Sequence, residues 1–178
     1  MLLFKTERLE IREMKESDLE LFIELLSDPR VIDPIPQPRW TEEEIRAKFE
    51  IFTDYPEAPL TREKITWGVY ETGSKELIGF CALLTNDENQ REIGYRFRTK
   101  YWGKGYGTEL TRHMIDHYFN VLGINTLAAD VNVENIPSAK ILDKFFTPVR
   151  EFYNKRDQCT DRRYILKKED WPKRMDSC

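Results

Sequence analysis

The sequence predicts an α+β (mixed α/β) fold for this chain of 178 residues. Strand patterns dominate the first half, and helix and strand patterns alternate in the second half, an order typical of this class. A glycine-rich turn joins the two halves, between a strand pattern and a helix pattern. A chain of this length buries roughly 70% of its unfolded surface. We therefore expect one domain over residues 1–170 and a frayed C-terminal tail over residues 171–178.

The first elements are a strand and a helix. Leu9–Met14 alternates between apolar and polar residues, as a half-buried strand does. Ser17 and Glu20 have the spacing of a capping box, which predicts a helix that ends near Ser27. The apolar face of this helix comprises Leu19, Phe22, Ile23 and Leu26.

A proline-rich segment separates this helix from a second one. From Pro29 onward, four prolines predict irregular structure up to Thr41. Thr41 and Glu44 form a second capping-box pattern, and Pro56 ends the helix that they begin. The apolar residues of this helix are Ile45, Phe49 and Phe52.

Three strands are predicted next, over Ile65–Glu71, Leu77–Leu84 and Arg91–Arg98, with hairpin turns between them. The middle strand is apolar throughout, so we expect it to be buried on both faces. The third strand is half polar, because Ile93, Tyr95 and Phe97 alternate with polar residues and glycine.

The third strand runs into a loop with glycines at alternate positions, Gly103, Gly105 and Gly107, and then into a helical pattern. Glycine lets a backbone approach a ligand closely, and a helix N-terminus directs unpaired N–H groups at it. This order predicts an anion site, and we expect the anion to be a phosphate.

After that helix, Thr126–Val133 alternates as a further strand. Asn135 is the predicted N-cap of a fourth helix, which tolerates Pro137 in its first turn. Strand patterns over Glu151–Asn154 and Arg162–Leu166 complete the fold.

Composition restricts the function classes. The net charge of −4 gives no overall basic surface for nucleic acid. A local basic cluster beside the glycine loop would attract a polyanion, or would simply be a solvated strand edge. It comprises Arg91, Arg96, Arg98, Lys100 and Lys104.

The cysteines and the apolar runs predict a cytoplasmic protein. Cys81, Cys159 and Cys178 are odd in number and far apart, which favours neither a disulfide framework nor a zinc site and fits a reducing compartment. Charged residues follow the N-terminus at once, and no apolar run approaches the ~18 residues of a membrane span.

Other phosphate-binding loops fit the sequence less well. A dinucleotide-binding fingerprint needs a glycine where Thr108 stands, although Asp130 lies about where its ribose-binding acid belongs. The strand before a dinucleotide-binding loop would also be nearly all apolar, whereas the strand before this loop is half polar. A Walker loop needs Gly-Lys-Ser/Thr at the helix start, and a kinase loop needs later motifs that this sequence lacks. A glycine turn without a ligand is the structural alternative.

The segment Trp102-Gly-Lys-Gly-Tyr-Gly-Thr-Glu109 resembles the acyl-CoA loop of the GNAT family of N-acetyltransferases, in particular the branch of the ribosomal-protein N-terminal acetyltransferases. Further matches occur in the family's order over most of the chain. They are Thr6-Glu-Arg-Leu-Glu-Ile-Arg12 with Asp18, Leu77-Ile-Gly79, Glu92-Ile-Gly-Tyr95, and Asn135-x-x-Ser138 followed by Lys144.

The resemblance implies a central mixed, mostly antiparallel sheet, splayed between the fourth and fifth predicted strands and flanked by about four helices, with coenzyme A in the gap. Backbone groups of Phe97, Arg98 and Thr99 would pair with the pantetheine arm, and Asn135 would bond to it. The pyrophosphate would be held by backbone amides of Gly103, Lys104, Gly105, Tyr106, Gly107 and Thr108.

Two residues are candidates for catalysis. Glu92 is the candidate general base, acting directly or through water. Alternatively, it forms an ion pair with Arg96, on the same strand face, which would lower its pKa. Ser138 is the candidate hydrogen-bond donor to the departing sulfur of coenzyme A. Alternatively, it serves only the helix N-terminus beside Asn135.

Two departures from the family pattern stand out. The fourth helix lacks the tyrosine acid that many members carry, and Lys144-Phe-Phe-Thr-Pro148 replaces the usual Lys-Leu-Gly-Phe ending. The missing glycine makes the exit from this helix uncertain. His113 and His117 are four residues apart on the third helix and are expected to be a partly exposed pair rather than metal ligands.

The sequence therefore predicts an acetyl-CoA-dependent N-acetyltransferase without a metal. The acceptor would be a primary amine, either a protein N-terminus or a small molecule such as a polyamine or an antibiotic. Direct attack in a ternary complex is the expected mechanism. The alternative is a catalytically idle acyl-CoA-binding or sensing module. No nucleic-acid or membrane partner is expected, and the chain would be a monomer or a homodimer.

Overall fold

The computed structural model describes residues 1–35, 38–155 and 157–172. Within them the chain forms five α-helices: α1 Leu19–Ser27, α2 Pro29–Ile32, α3 Glu42–Thr53, α4 Tyr106–Asn120 and α5 Ile136–Phe145. The strands are β1 Leu2–Lys5, β2 Leu9–Arg12, β3 Lys64–Glu71, β4 Leu77–Thr85, β5 Arg91–Phe97, β6 Thr126–Asn132, β7 Thr147–Asn154 and β8 Cys159–Lys167.

All of these strands belong to one sheet, in the order β1-β2-β3-β4-β5-β6-β8-β7. Each neighbouring pair is antiparallel except β5 and β6, which run parallel. The predicted α+β class, with a mixed and mostly antiparallel sheet, is confirmed.

Strands β5 and β6 separate soon after they meet. Only two pairs join them in the described residues, Arg91 with Leu127 and Glu92 with Ala128. On the other side of β5, the Arg98 N–H donates to the carbonyl of Ile78 in β4 at 2.9 Å. Because antiparallel ladders alternate, Tyr95 and Phe97 then direct their N–H and C=O groups towards the β6 side. The predicted splay is confirmed between these two strands.

Apolar side chains cover both faces of the sheet. The larger cluster, which includes Trp67 and Tyr118, lies between the sheet and the helices α4 and α5. The second cluster lies beneath α1, α2 and α3 and includes Phe22 and Phe49. Residues Leu77–Leu83 of β4 are buried throughout, as its uninterrupted apolar run predicted.

One of the two predicted capping boxes is present. The Thr41 hydroxyl accepts the Glu44 N–H at 3.2 Å, and the Glu44 carboxylate accepts the Thr41 N–H at 2.7 Å. The box of Ser17 with Glu20 is wrong, because the buried Asp18 carboxylate instead accepts the backbone N–H three residues before it.

Two short elements differ from the sequence prediction. The proline-rich segment begins with the helix α2, because Asp28 accepts the Arg30 N–H at 3.0 Å and Pro29 needs no acceptor at the first helical position. Strand β1 was not predicted, since a four-residue edge strand buries too little to impose an alternating pattern. Pro36, also in that segment, lies outside the described residues.

The helix α5 ends without the glycine of the family pattern. Phe146 adopts an extended conformation, with φ of −107°, and its N–H donates to the Leu142 carbonyl at 2.8 Å. Phe145 and Phe146 are both buried in the main core. Burial of these two phenylalanine side chains therefore fixes how the chain leaves α5. A glycine at this position would have allowed a left-handed turn instead.

Trp171, the first residue of the predicted tail, packs against the core. This residue is 4% exposed, its ring centroid lies 6.0 Å from that of Phe145, and its indole N–H donates to Asp116 at 3.4 Å. Burial of the indole thus fixes the chain at this position. Residues 173–178 lie outside the described residues, and the division into one domain and a tail stays a prediction.

Glu109, in the first turn of α4, fastens the N-terminal segment to the glycine loop. Its carboxylate accepts the Thr6 hydroxyl at 2.5 Å and the Arg8 N–H at 2.9 Å. It also forms an ion pair with the Arg8 guanidinium at 2.6 Å, and its side chain is only 11% exposed. Buried acceptors of this kind are costly to remove, because their donors lose their partners.

We expect Glu109→Ala to lower the free energy of unfolding by about 2 kcal/mol, since it leaves the Thr6 and Arg8 donors unsatisfied. Urea denaturation measures this change. The matched control is Glu151→Ala, which removes the exposed pair of Glu151 with Arg162 and should cost less than about 1 kcal/mol. Equal losses in the two variants would contradict a special role for Glu109.

Candidate active site

The glycine loop has the backbone conformation that its sequence predicts. Gly103 and Gly105 have φ of 72° and 81°, in the left-handed region that glycine adopts without strain. Gly105 is the N-cap of α4. A Cβ on Gly107 would lie 2.9 Å from the Ile141 side chain, so glycine at this position lets α4 approach α5 closely.

The first turn of α4 presents unpaired donors at this loop. The first backbone bond described for the helix joins the Glu109 N–H to the Gly105 carbonyl at 3.1 Å. The N–H groups of Tyr106, Gly107 and Thr108 therefore have no acceptor within the helix. Together with the partial positive charge of the helix terminus, these groups favour an anion.

The loop is held in place from the N-terminal segment and from β3. One Arg8 guanidinium nitrogen donates to the Lys104 carbonyl at 2.9 Å, and the guanidinium carbon lies 4.6 Å from the Tyr106 ring centroid. The Tyr106 hydroxyl donates to Glu71. Arg8 appeared in the sequence only within a motif match, because its contact with the loop depends on the fold.

Among the residues predicted to pair with a pantetheine arm, Phe97 directs its backbone into the opening between β5 and β6. Its carbonyl accepts the Trp102 indole N–H at 2.8 Å and keeps a second lone pair. The Arg98 N–H and carbonyl are bonded to Ile78 and Tyr101. The Thr99 carbonyl accepts the Trp102 N–H at 3.1 Å.

The Arg98 side chain points away from the opening. Its guanidinium is 6% exposed and forms ion pairs with Glu24 in α1 at 2.8 Å and with Glu76 at 2.6 Å. The Lys104 ammonium lies 4.8 Å from the Tyr101 ring centroid. Much of the predicted basic cluster is thus engaged in intramolecular contacts.

Three hydroxyl groups, those of Tyr95, Thr111 and Ser138, lie close together on the α4–α5 side of β5. Asn135 caps α5, as predicted, and accepts the Ser138 N–H at 3.4 Å. The Tyr95 hydroxyl lies beside the hydroxyls of Ser138 and Thr111. Burial raises the pKa of Tyr95 to about 12, so the phenol keeps its proton.

Sequence reasoning did not select Tyr95 as a functional residue. Its place in the alternation of β5 marked it as a core aromatic, and that pattern cannot show the hydroxyl neighbours. The signal that was available in the sequence is its place in the motif match Glu92-Ile-Gly-Tyr95. The structure adds that a Cβ on Gly107 would lie 3.4 Å from the Tyr95 ring.

Glu92 lies where β5 and β6 form their last pair. Burial of the carboxyl, reinforced by the negative charge of Asp130, raises the pKa of Glu92 to about 8, although Arg163 acts in the opposite direction. This shift is opposite to the one expected for an ion pair of Glu92 with Arg96. The carboxyl therefore changes its charge close to neutral pH.

Glu92, Gly94 and Arg96 share the face of β5 that lies towards α1 and α3. The Arg96 guanidinium carbon lies 5.9 Å from the ring centroid of Phe80, which belongs to the cluster beneath those helices. A Cβ on Gly94 would meet no atom within 4 Å. Space for an acceptor thus exists beside Glu92, opposite the side that carries Ser138.

The histidine pair contacts the N-terminal segment. His113 Nε2 lies 3.1 Å from a Glu7 carboxylate oxygen, and the His117 ring centroid lies 5.0 Å from that of Phe4. Burial lowers the pKa of His117. Across residues 1–35, 38–155 and 157–172, His, Cys, Asp and Glu form no group of three or more placed to hold a metal ion. None of the helices there is long and apolar enough to cross a membrane.

Comparisons with known proteins agree with this geometry. Residues 8–145 match the acetyltransferase (GNAT) domain family. Over 141 residues the chain is 31% identical to the uncharacterized N-acetyltransferase p20 of Bacillus licheniformis, a match that covers 78% of each chain.

Solved structures show the same fold. A GNAT-family acetyltransferase from Bacillus anthracis superposes with a TM-score of 0.79 at 25% identity, over 95% of this chain and 99% of its own. RimL, a ribosomal L7/L12 α-N-protein acetyltransferase in complex with coenzyme A, superposes with a TM-score of 0.75 at 17% identity, over 94% and 98%.

Three findings define a GNAT acetyltransferase. They are the splayed sheet, the glycine loop at a helix N-terminus and the family match over most of the chain. The chain belongs to the GNAT family and is an N-acetyltransferase. Acetyl-CoA is the acyl donor of this family.

We expect the Glu92 carboxyl to titrate near pH 8, which carbon NMR of protein labelled at glutamate carboxyls measures, with Glu92→Gln to assign the signal. Its folded pKa exceeds the unfolded value of about 4.3. The folded state therefore binds the proton more tightly than the unfolded state does. The contribution of this proton to the free energy of unfolding is fully present below the unfolded pKa and is lost as pH rises towards 8. Wild type should lose stability over that window relative to Glu92→Gln, and parallel stability curves would contradict the raised pKa.

Proposed function

We propose that this protein transfers the acetyl group of acetyl-CoA to a primary amine by direct attack in a ternary complex. The observation that carries the proposal is the opening between β5 and β6. The glycine loop and the N-terminus of α4 lie at its wide end, and Glu92 lies at its narrow end.

The wide end supports pyrophosphate binding by main-chain donors. The N–H groups of Tyr106, Gly107 and Thr108 converge on the loop formed by Gly103, Lys104 and Gly105. The backbone of Phe97 would then guide the pantetheine arm along β5 towards Glu92. Arg98 and Thr99 would shape this end of the opening, since the backbone groups of Arg98 and the Thr99 carbonyl are bonded within the protein. Asn135 would bond to the same arm while it caps α5.

At the narrow end, Glu92 would accept the proton of the attacking amine. An α-ammonium has a pKa of about 7.8, so its proton transfer to a carboxylate with a pKa of about 8 is nearly balanced in free energy. A lysine ammonium, at about 10.4, would be disfavoured by roughly 3 kcal/mol. Glu92 is therefore suited to acceptors with a weakly basic amine, such as a protein N-terminus or a small molecule of similar pKa.

The hydroxyls on the opposite face of β5 would assist the leaving group. As the new C–N bond forms and the C–S bond breaks, negative charge develops on the sulfur. The Ser138 hydroxyl would donate a hydrogen bond to that sulfur, and the neighbouring Tyr95 hydroxyl, whose pKa of about 12 keeps it protonated, would support Ser138.

Transfer assays with acetyl-CoA test the proposal directly. The acceptors are peptides with a free N-terminal alanine or serine, polyamines and other small primary amines, and calorimetry measures binding of coenzyme A. We expect transfer to at least one acceptor class and a turnover loss of about a hundredfold in Glu92→Gln. Binding of coenzyme A without transfer across this panel would contradict the enzymatic proposal.

Gly105→Ala should weaken coenzyme A binding about tenfold, since a side chain in the left-handed region costs about 1–2 kcal/mol and distorts the loop. Its control is Gly73→Ala, in the turn between β3 and β4, where φ is 78°. Both variants should lose similar stability, and only Gly105→Ala should lose affinity in calorimetry. Unchanged affinity in Gly105→Ala would count against the loop as the pyrophosphate site.

Ser138→Ala should lower kcat about tenfold and leave the Kd of coenzyme A unchanged, because the side chain acts only when charge develops on the sulfur. The helix cap survives, since Asn135 accepts the backbone N–H of this residue. Ser27→Ala, at the exposed end of α1, is the control. Full turnover in Ser138→Ala combined with a loss in Tyr95→Phe would assign the donor role to Tyr95 instead.

A further inference from the structure

A buried arginine with three carboxylate partners lies next to Glu92. Arg163, in β8, is 2% exposed and contacts both carboxylate oxygens of Asp130, at 2.8 and 2.6 Å. It also pairs with Asp87 at 2.5 Å and with Glu88 at 3.0 Å, both in the turn that leads into β5. The network therefore joins β6, β8 and this turn around the narrow end of the opening.

Asp130 connects this network to Glu92. It lies two residues beyond Ala128, the last residue of β6 that pairs with β5, and so on the same sheet face as Glu92. Its carboxylate is 16% exposed and faces the same side of the sheet as the Glu92 carboxyl. Asp130 thus places a negative charge on the face of the sheet that carries Glu92.

We propose that Asp130 and Arg163 are positioning residues: their ion pair fixes the charges beside the Glu92 carboxyl at the narrow end of the opening and so sets the proton affinity of that carboxyl. The proposal rests on the proposed function in one respect, since the proton affinity matters for turnover only if Glu92 is the base.

The charged groups around Glu92 act in opposite directions. Asp130 from β6 and Asp161 from β8 favour the neutral carboxyl, and Arg163 from β8 favours the carboxylate. Arg96 lies on the same strand face as Glu92. Asp87 and Glu88 face Arg163 and partly balance its charge. The charges that act on Glu92 are therefore nearly balanced. Removal of any one of them by a single substitution should change the pKa of Glu92.

Asp130→Asn is the most informative variant. It keeps the shape and the backbone N–H of the residue, and Arg163 retains Asp87 and Glu88, so the buried guanidinium is not left alone. Loss of the neighbouring negative charge should favour the ionised carboxyl and lower the pKa of Glu92 by about one unit. Carbon NMR of labelled glutamate measures this pKa, and the acid limb of kcat/KM against pH should move to lower pH by the same amount.

Arg163→Gln should produce the opposite shift, because it removes a positive charge and leaves three carboxylates less compensated. Arg162→Gln is the matched control, since Arg162 is adjacent in β8 but pairs with the surface residue Glu151. We expect the pKa of Glu92 in this control to equal that of wild type. Thermal unfolding of each variant verifies that the compared proteins are folded.

The two readouts separate the two proposals. An unchanged Glu92 pKa in folded Asp130→Asn would overturn the positioning role, whatever the turnover. A lowered Glu92 pKa together with an unmoved pH profile would support the positioning role and contradict Glu92 as the base. A parallel shift of both quantities would support both. If Arg163→Gln does not fold, Asp130→Asn and Arg162→Gln still decide the outcome.

Discussion

Beyond Glu92 and Ala128, β5 and β6 are no longer paired with each other in the described residues. Backbone N–H and C=O groups inside a protein nevertheless need hydrogen-bond partners. Each strand has a complete ladder on its other edge, β5 with β4 and β6 with β8. The separation is therefore a stable property of the sheet, and the inward-facing groups of Tyr95 and Phe97 remain available to a further extended chain. The pantetheine arm of the donor of this family is such a chain.

The separation also divides the chemistry between the two faces of the sheet. Glu92 and the open space at Gly94 lie towards α1 and α3, whereas Tyr95 and Ser138 lie towards α4 and α5. An amine that approaches from the first side and a sulfur that leaves on the second would meet at the sheet itself. Because the side chains of β5 alternate between the two faces of the sheet, the proposed base and the proposed hydrogen-bond donor lie on opposite faces.

Local signals in the sequence were sufficient for the glycine loop, for the caps at Thr41 and Asn135 and for the buried strand β4, because each depends on neighbours within a few residues. They failed where partners are distant in sequence. The raised pKa of Glu92 depends on burial of its carboxyl and on the charge of Asp130 in another strand, and the hydroxyl neighbours of Tyr95 belong to two helices. The capping pattern at Ser17 was misleading, since Asp18 competes for the same role.

The contact of Glu109 with Thr6 and Arg8 joins parts of the chain that are 103 and 101 residues apart. Closing a segment of this length has an entropic cost that precedes any gain from the contact, which is why non-local contacts slow folding. During synthesis, the N-terminal hairpin also leaves the ribosome well before Glu109 exists. The glycine loop therefore receives its brace only after β1–β5 and the first turn of α4 have been synthesised.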